Sequence, residues 1–304
     1  MKKNWPVLSY NLGKTTYDTL QLFTQIVGKI KLATMPWINH SWSITLNIMP
    51  VGLTTQIMPY KDKDFQIDFD FINHQLKITT SLGESKQFSI ENLSVAGFYR
   101  AIQKKLKEID IDVTISPLPS EIVDPIPFEL DETHKGYDRD QASAFHAALL
   151  CIHEVFLIHR SSFNGKSSPI HFFWGGFDLS LAFFSGNKAP THPGKMPGMP
   201  NWVLQDAYSQ EVQTVGFWSG NDDLTEAAFY CYLYPEPEGY STAEIEPKEA
   251  YYHKQRGEFI LSYADVQQSD DPEQKLLAFL KSTYALGAKI AKWDPAFVEP
   301  IPKA

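Results

Sequence analysis

Apolar positions at three- and four-residue spacing mark three long helices. Leu20, Phe23, Ile26, Val27 and Ile30 predict one over 15–32, Val95, Phe98, Ile102 and Leu106 one over 94–108, and Ala142, Phe145, Leu149, Ile152 and Phe156 one over 138–163. A fourth closes the chain over 272–292. Between the helices the period changes to two. Phe65, Ile67, Phe69 and Phe71 alternate with Gln66, Asp68 and Asp70, the pattern of a sheet with one wetter face. The same reading predicts strands over 41–48, 53–58, 65–71, 75–80 and 87–90, a short one at 112–115, and a second group over 169–174, 179–185, 211–218, 228–234 and 258–261.

This order predicts an α+β protein of mainly antiparallel sheets flanked by helices. It also suggests two similar helix–sheet–helix halves, as an internal duplication would leave. The segment 116–127 holds four prolines, which favour an extended connector. The expected division is therefore 1–115, a connector over 116–128, and 129–304, together forming one compact unit.

Charge separates the halves. Residues 1–115 carry 13 Lys and Arg against 10 Asp and Glu, and residues 116–304 carry 14 against 26. An acidic second half argues against nucleic acid as a partner. The basic run Lys104, Lys105 and Lys107 reads as a solvated helix face. Only Cys151 and Cys231 are present, without metal-type spacing, and Cys151 falls in an apolar helical stripe. Two opening lysines lack an apolar stretch behind them, and no uninterrupted apolar run is long enough to span a bilayer, so a cytoplasmic protein without a membrane partner is expected.

Several motifs fail on their own requirements. Asn164-Gly165-Lys166-Ser167 lacks the first glycine of a phosphate loop, where Arg160 stands. His153-Glu154 begins a zincin helix, but Leu157 occupies the second histidine position. His146 and His153 share an apolar stripe and read as boundary histidines. No nucleophile elbow or dinucleotide glycine motif occurs in a strand–helix context.

The stretch from Ser167 to Gly198 is denser in chemistry. With Gly175-Gly176 as a two-residue turn, Trp174 would pair with Phe177 and Phe173 with Asp178, leaving His171 and Asp178 as diagonal neighbours on one face. Such a pair fixes an imidazole tautomer for general-base work, or simply satisfies itself in a core. Glu132 and His134 bring a carboxylate and an imidazole from the acidic segment ahead of the long helix, whose alternative role is capping. His192 lies on a loop stiffened by Pro190, Pro193, Pro197 and Pro200. Glu211, Trp174, Tyr208 and Trp218 complete the candidate ligand contacts. The catalytic candidates are thus His171, Asp178 and Glu132, and the ligand-binding candidates His192, Glu211, Trp174, Tyr208, Trp218 and His134. No metal ligands are assigned, and neither a cofactor nor an oligomeric state is indicated. Tyr208, Phe217, Trp218, Tyr230, Tyr232 and Tyr234 form an aromatic set that would suit a flat ligand or a sheet core.

ELDETHKGYD (129–138), NGKSSPIHFFWGGFDLSLAFFSG (164–186), APTHPG (189–194) and AYSQEVQTVGFWSG (207–220) together resemble a bacterial family known only as domain of unknown function 5996. The likeness extends over nearly the whole chain. It departs at Gly176, where the family pattern has serine, at Phe183-Phe184, where Thr-Arg is usual, and at Gln210, where histidine is usual. The resemblance brings no activity with it. The residues themselves favour a small-molecule pocket of open catalytic status. A metal-assisted hydrolase using His171, Asp178 and His192, and a structural or interaction protein, are the alternatives.

Overall fold

Helix α1 (Tyr10–Thr34) is apolar or buried on nearly every side, and the helices Val95–Lys107 and Arg139–Ser161 pack against it. It starts five residues earlier than periodicity predicts because Ser9 caps it, its Oγ accepting the Leu12 N–H. The threonines of its first turns, poor helix formers, are spent on tertiary bonds. Thr16 Oγ1 donates to the Gly136 carbonyl at 2.8 Å and accepts the Asp138 N–H at 3.1 Å, and Thr19 Oγ1 accepts the Gly136 N–H. Propensity gives way there to packing.

The computed structural model describes residues 4–196 and 198–298, so the two opening lysines and Pro197 of the proline-rich loop lie outside the described residues. After α1 come β1 (Asn47–Met49), β2 (Gly52–Thr54), β3 (Met58–Tyr60), β4 (Lys63–Asp70), β5 (Gln75–Thr80) and β6 (Ser85–Ser89). They form one antiparallel sheet in the order β1-β2-β4-β5-β6, with β3 on β4. Helix α2 (Val95–Lys107) buries Val95, Phe98, Ile102 and Leu106 and stacks Phe98 on Phe23 of α1 at 4.1 Å. The connector then leads to α3 (Arg139–Ser161), capped by Asp138.

The second sheet comprises β7 (Lys166–Ser167), β8 (His171–Phe173), β9 (Asp178–Lys188), β10 (Gln210–Trp218), β11 (Ala228–Tyr234), β12 (Tyr251–His253) and β13 (Glu258–Ser262). Its order is β12-β13-β11-β10-β9-β7, with β8 on β9, all antiparallel. Short α4 (Asn201–Ala207) and α5 (Tyr263–Gln267) flank it, and α6 (Pro272–Ile290) packs on α3, β10 and β11. The two sheets meet where Leu46 and Phe172 exchange backbone hydrogen bonds of 2.9 and 2.8 Å. One apolar cluster runs from Trp5 to Trp293 through both.

The fold is α+β with two antiparallel sheets and flanking helices, as the alternation predicts. Strands β5 and β11 fall on their predicted limits. Other segments differ for local reasons. Residues 41–48 do not form one strand, since His40 and Ser41 adopt left-handed backbone (φ 59 and 57) inside a 3-10 turn over Asn39–Ile44. Gln56 (φ 58) breaks 53–58 into two strands, and 112–115 forms no strand. Helices α4 and α5 and strands β7 and β12 are too short to leave a periodic signal. Internal duplication is not confirmed: both halves run helix, sheet, helix, but in the second sheet β12 folds back outside β13, an order the first sheet does not repeat. Helix α3 is long and apolar enough to cross a membrane by length and composition, although polar residues interrupt its run; more than half of that stretch is buried inside the protein. Neither cysteine forms a disulfide, and both are buried.

Three polar residues of α1, one turn apart, reach sideways. Gln21 Nε2 donates to the Gly175 carbonyl (2.6 Å), Gln25 Nε2 to the Ser120 carbonyl (2.9 Å), and Lys29 Nζ to Ser120 Oγ (3.0 Å). Gln25 Oε1 also accepts the Ser120 N–H at 2.7 Å. The connector has no helix or strand near Ser120, so these bonds satisfy its backbone. Replacing Gln25 by a similar-sized apolar residue strands two backbone groups. Gln25→Met is expected to lose about 2 kcal/mol in denaturant unfolding, whereas a loss below about 0.5 kcal/mol would show that the connector does not depend on it.

Candidate functional site: a carboxyl-lined cavity on the second sheet

Alternation along the second sheet sorts its residues onto two faces. Leu179, Leu181, Val215, Phe217, Phe229, Cys231, Phe259 and Leu261 turn into the main core. The register places Asp178, Trp218 and Ala228 in one row of the opposite face, and Ser180, Gly216, Tyr230 and Ile260 in the next. Tyr232, paired with Thr214, continues this outer face. An open cavity of about 850 Å³ lies against it, bordered also by the first half of α1 and by the connector.

Asp178 and Glu121 are its chemical centre. The β8–β9 pairing ends at Phe173 and Asp178, as the alternation predicts, but Trp174–Phe177 form a four-residue turn with no Trp174–Phe177 pair. Phe177, not a glycine, takes the left-handed conformation (φ 57). Gly175 answers a different need: a Cβ there would lie 1.9 Å from Glu121 Oε1, so its bare backbone lets the carboxyl settle on the turn. A Cβ on Gly176 would lie 2.6 Å from Asp178 Oδ1 and 3.8 Å from Glu121 Oε2, which puts both carboxyls around one point. Glu121 itself sits at φ 60, a strained setting held by the bonds of its neighbour Ser120 to α1.

Tyr230 reaches the same point from two strands away. Its ring crosses Gly216, where a Cβ would meet Tyr230 Cζ at 2.1 Å, and its hydroxyl donates to Asp178 Oδ2 at 2.5 Å. Tyr232 stacks beside Tyr230 at 6.1 Å and shares a 2.9 Å hydroxyl contact with Tyr208. Arg256 lies over the Trp218 ring at 4.5 Å and donates to Asn221 Oδ1 at 3.3 Å.

Poor solvation dominates the electrostatics. Burial pushes the Asp178 carboxyl up to about 6, with the Tyr230 hydrogen bond opposing the rise. Burial, and then the charge of Asp178, pushes Glu121 up to about 7. Glu258 on β13 is also raised to about 7 by burial; Arg256 lowers it and Asp178 raises it. Like charges in a poorly solvated site disfavour simultaneous ionisation. The cavity lining as a whole carries eight Asp and Glu against one lysine and one arginine. At its rim Asp222 on the β10–β11 loop binds Lys14 and the Tyr10 hydroxyl, each at 3.0 Å, tying that loop to α1.

Of the residues predicted from sequence, Asp178, Tyr208, Trp218 and His134 line this cavity. The others lie elsewhere. His171 shares the Asp178 face but is fully buried edge-on to Phe173 at 4.5 Å, and no hydrogen bond joins it to Asp178, whose partner is Tyr230. Burial lowers His171 to about 3, with nearby His40 adding to the effect. Glu132 accepts from Ser94 Oγ at 2.5 Å and Arg100 at 3.0 Å, bracing the start of α2. His192 stacks on Tyr208 at 4.6 Å, behind the cavity wall. Glu211 accepts from Ser185 and Asn187, and Trp174 Nε1 donates to the Ile44 carbonyl. Glu121 and Glu258 went unpredicted. Each is a single carboxylate, one in a proline-rich connector and one at a strand start, and only the fold brings them to the same cavity as Asp178.

The protein is thus an α+β protein with a carboxyl-lined cavity on the outer face of one sheet. It belongs to a family of unknown function (DUF5996), whose model matches residues 5–300. No curated protein and no solved structure matches the chain.

The raised carboxyls make a signed prediction. A folded state that keeps these protons to about pH 7, while the unfolded chain releases them near 4, loses stability as pH rises between those values and is level above them. Glu121→Gln should therefore raise stability at pH 8 by about 1–2 kcal/mol and change little at pH 4. Denaturant midpoints at the two pH values check this; equal midpoints for variant and parent at pH 8 would contradict it.

Proposed function

We propose that the chain binds a small, positively charged organic molecule in the cavity on the second sheet. One observation carries this reading: the Glu121 and Asp178 carboxyls converge at Gly176 with no cation between them among the described residues, burial holds back the ionisation of Glu121, Asp178 and Glu258, and the charge of Asp178 adds to it at Glu121 and Glu258. Bringing carboxylates together out of water costs free energy, and a bound cation would recover it. The rings of Tyr230 and Tyr232 suit the same class, since aromatic faces attract cations and bury alkyl carbon. The field of the lining would concentrate cations and repel phosphate-bearing polymers. A cytoplasmic, water-soluble binding protein is consistent with this.

Acid–base catalysis is the second reading, favoured by a tyrosine hydroxyl bonded to one carboxyl and a neighbour raised to about 7. A metal-assisted reaction has less support, because no three His, Cys, Asp or Glu side chains among the described residues are grouped to hold a metal ion.

Calorimetric titration with butylamine and tetramethylammonium, against butyrate as the anionic match, tests the reading. Either cation should bind, with affinity rising about tenfold or more from pH 5 to pH 8 as the carboxyls ionise, and butyrate should not bind. Absence of cation binding at pH 8, or preference for butyrate, would overturn it.

A further inference from the structure

The cavity has a second polar feature, away from the three carboxyls. Asp131 and His134 both line it, three residues apart on the segment leading into α3. Asp131 is 1% exposed. Its Oδ1 accepts the backbone N–H groups of Thr133 and His134 at 3.0 and 3.1 Å, and its Oδ2 lies 2.7 Å from His134 Nδ1. The segment is fixed in turn to the first turn of α2, where Ala96 N–H donates to the Asp131 carbonyl and Val95 N–H to the His134 carbonyl. A carboxylate on Nδ1 keeps the ring proton there and leaves Nε2 as the lone-pair nitrogen. The His134 side chain is 37% exposed, so the ring is held but not buried.

We propose that His134 Nε2 accepts a hydrogen bond from the ligand, so that the cavity selects cations carrying a second N–H or O–H donor, namely diamines and amino alcohols. The inference rests on the cation reading: the wall of Glu121, Asp178 and Glu258 holds the charged end, and the Asp131–His134 pair takes the donor at the other. Asp131 is a positioning residue that acts through the imidazole tautomer. A site built around a fixed acceptor discriminates against analogues lacking the matching donor more strongly than an apolar wall discriminates by size.

Calorimetry on the full chain at pH 8 decides the matter, using α,ω-diamines and amino alcohols of two to six carbons against n-alkyl monoamines of the same lengths. At least one diamine or amino alcohol should bind about tenfold or more tightly than its monoamine. His134→Ala should remove that advantage, so that in the variant the diamine or amino alcohol binds within about twofold of its matched monoamine. ¹⁵N spectra should show His134 protonated on Nδ1, and Asp131→Asn should both disturb that tautomer and weaken the preference. Because Asp131 is buried and anchors its own segment, the half-exposed His134→Ala is the deciding variant if the asparagine variant does not fold. Equal binding of matched pairs by the parent chain, or a preference that survives His134→Ala, would overturn the role of His134 while leaving the cation reading standing. Failure of every amine to bind would overturn both.

Discussion

The ladder of Gln21, Gln25 and Lys29 along α1 is the interaction on which the site depends. One helix face, with its polar groups one turn apart, grips Gly175 of the β8–β9 turn at one level and Ser120 of the connector at the next two. Those contacts bring Glu121, from a segment with no regular structure, onto a turn of the second sheet. The apolar core cannot do this, because hydrophobic burial has no direction, whereas a buried amide bonded to one particular backbone residue has. Buried lysines and glutamines on a core helix look like defects in amphipathicity. Here they locate a loop.

Geometry and charge reinforce each other at the wall that results. Three glycines leave room for the wall: Gly175 admits the Glu121 carboxyl, Gly176 the Asp178 carboxyl, and Gly216 lets Tyr230 cross to Asp178. The Glu121 and Asp178 carboxyls consequently meet at one point, and burial raises both of them as well as Glu258 further along the same wall. The left-handed backbone at Glu121 and Phe177 is a further cost at the same spot. Expense concentrated at one place, in a chain otherwise built from ordinary helices and strands, is the pattern expected of a functional site.

Long periodic elements were legible in the amino-acid sequence, and so was the α+β class, because α1, α2, α3, α6, β4, β5 and β11 each repeat their burial signal several times. Phe173 opposite Asp178 was legible too, since register follows from alternation once a turn is placed. His171 shows where such reasoning ends. Alternation put it on the face of Asp178, but a diagonal neighbour is not a bonded one, and Tyr230 from β11 arrives first because Gly216 leaves the path open. The contribution of Glu121 was invisible for a similar reason. Prolines around it announce an extended connector, and nothing local says that Gln25, 95 residues away, will hold the next residue back along the chain. Short-range patterns encode elements, whereas this wall is made from contacts between elements distant in sequence.

Side-chain carboxyl ¹³C spectra followed from pH 3 to pH 9 test the dependence of the site on α1 most directly. In the parent chain Glu121, Asp178 and Glu258 should titrate late, near 6 to 7, and with visible coupling between them. In Gln25→Met the Glu121 signal should move towards the ordinary carboxyl range near 4 as the connector loosens, while Glu258, held by its strand, stays high. A parent chain in which Glu121 already titrates near 4, or a variant in which it remains late, would contradict the claim that the α1 ladder builds the carboxyl wall.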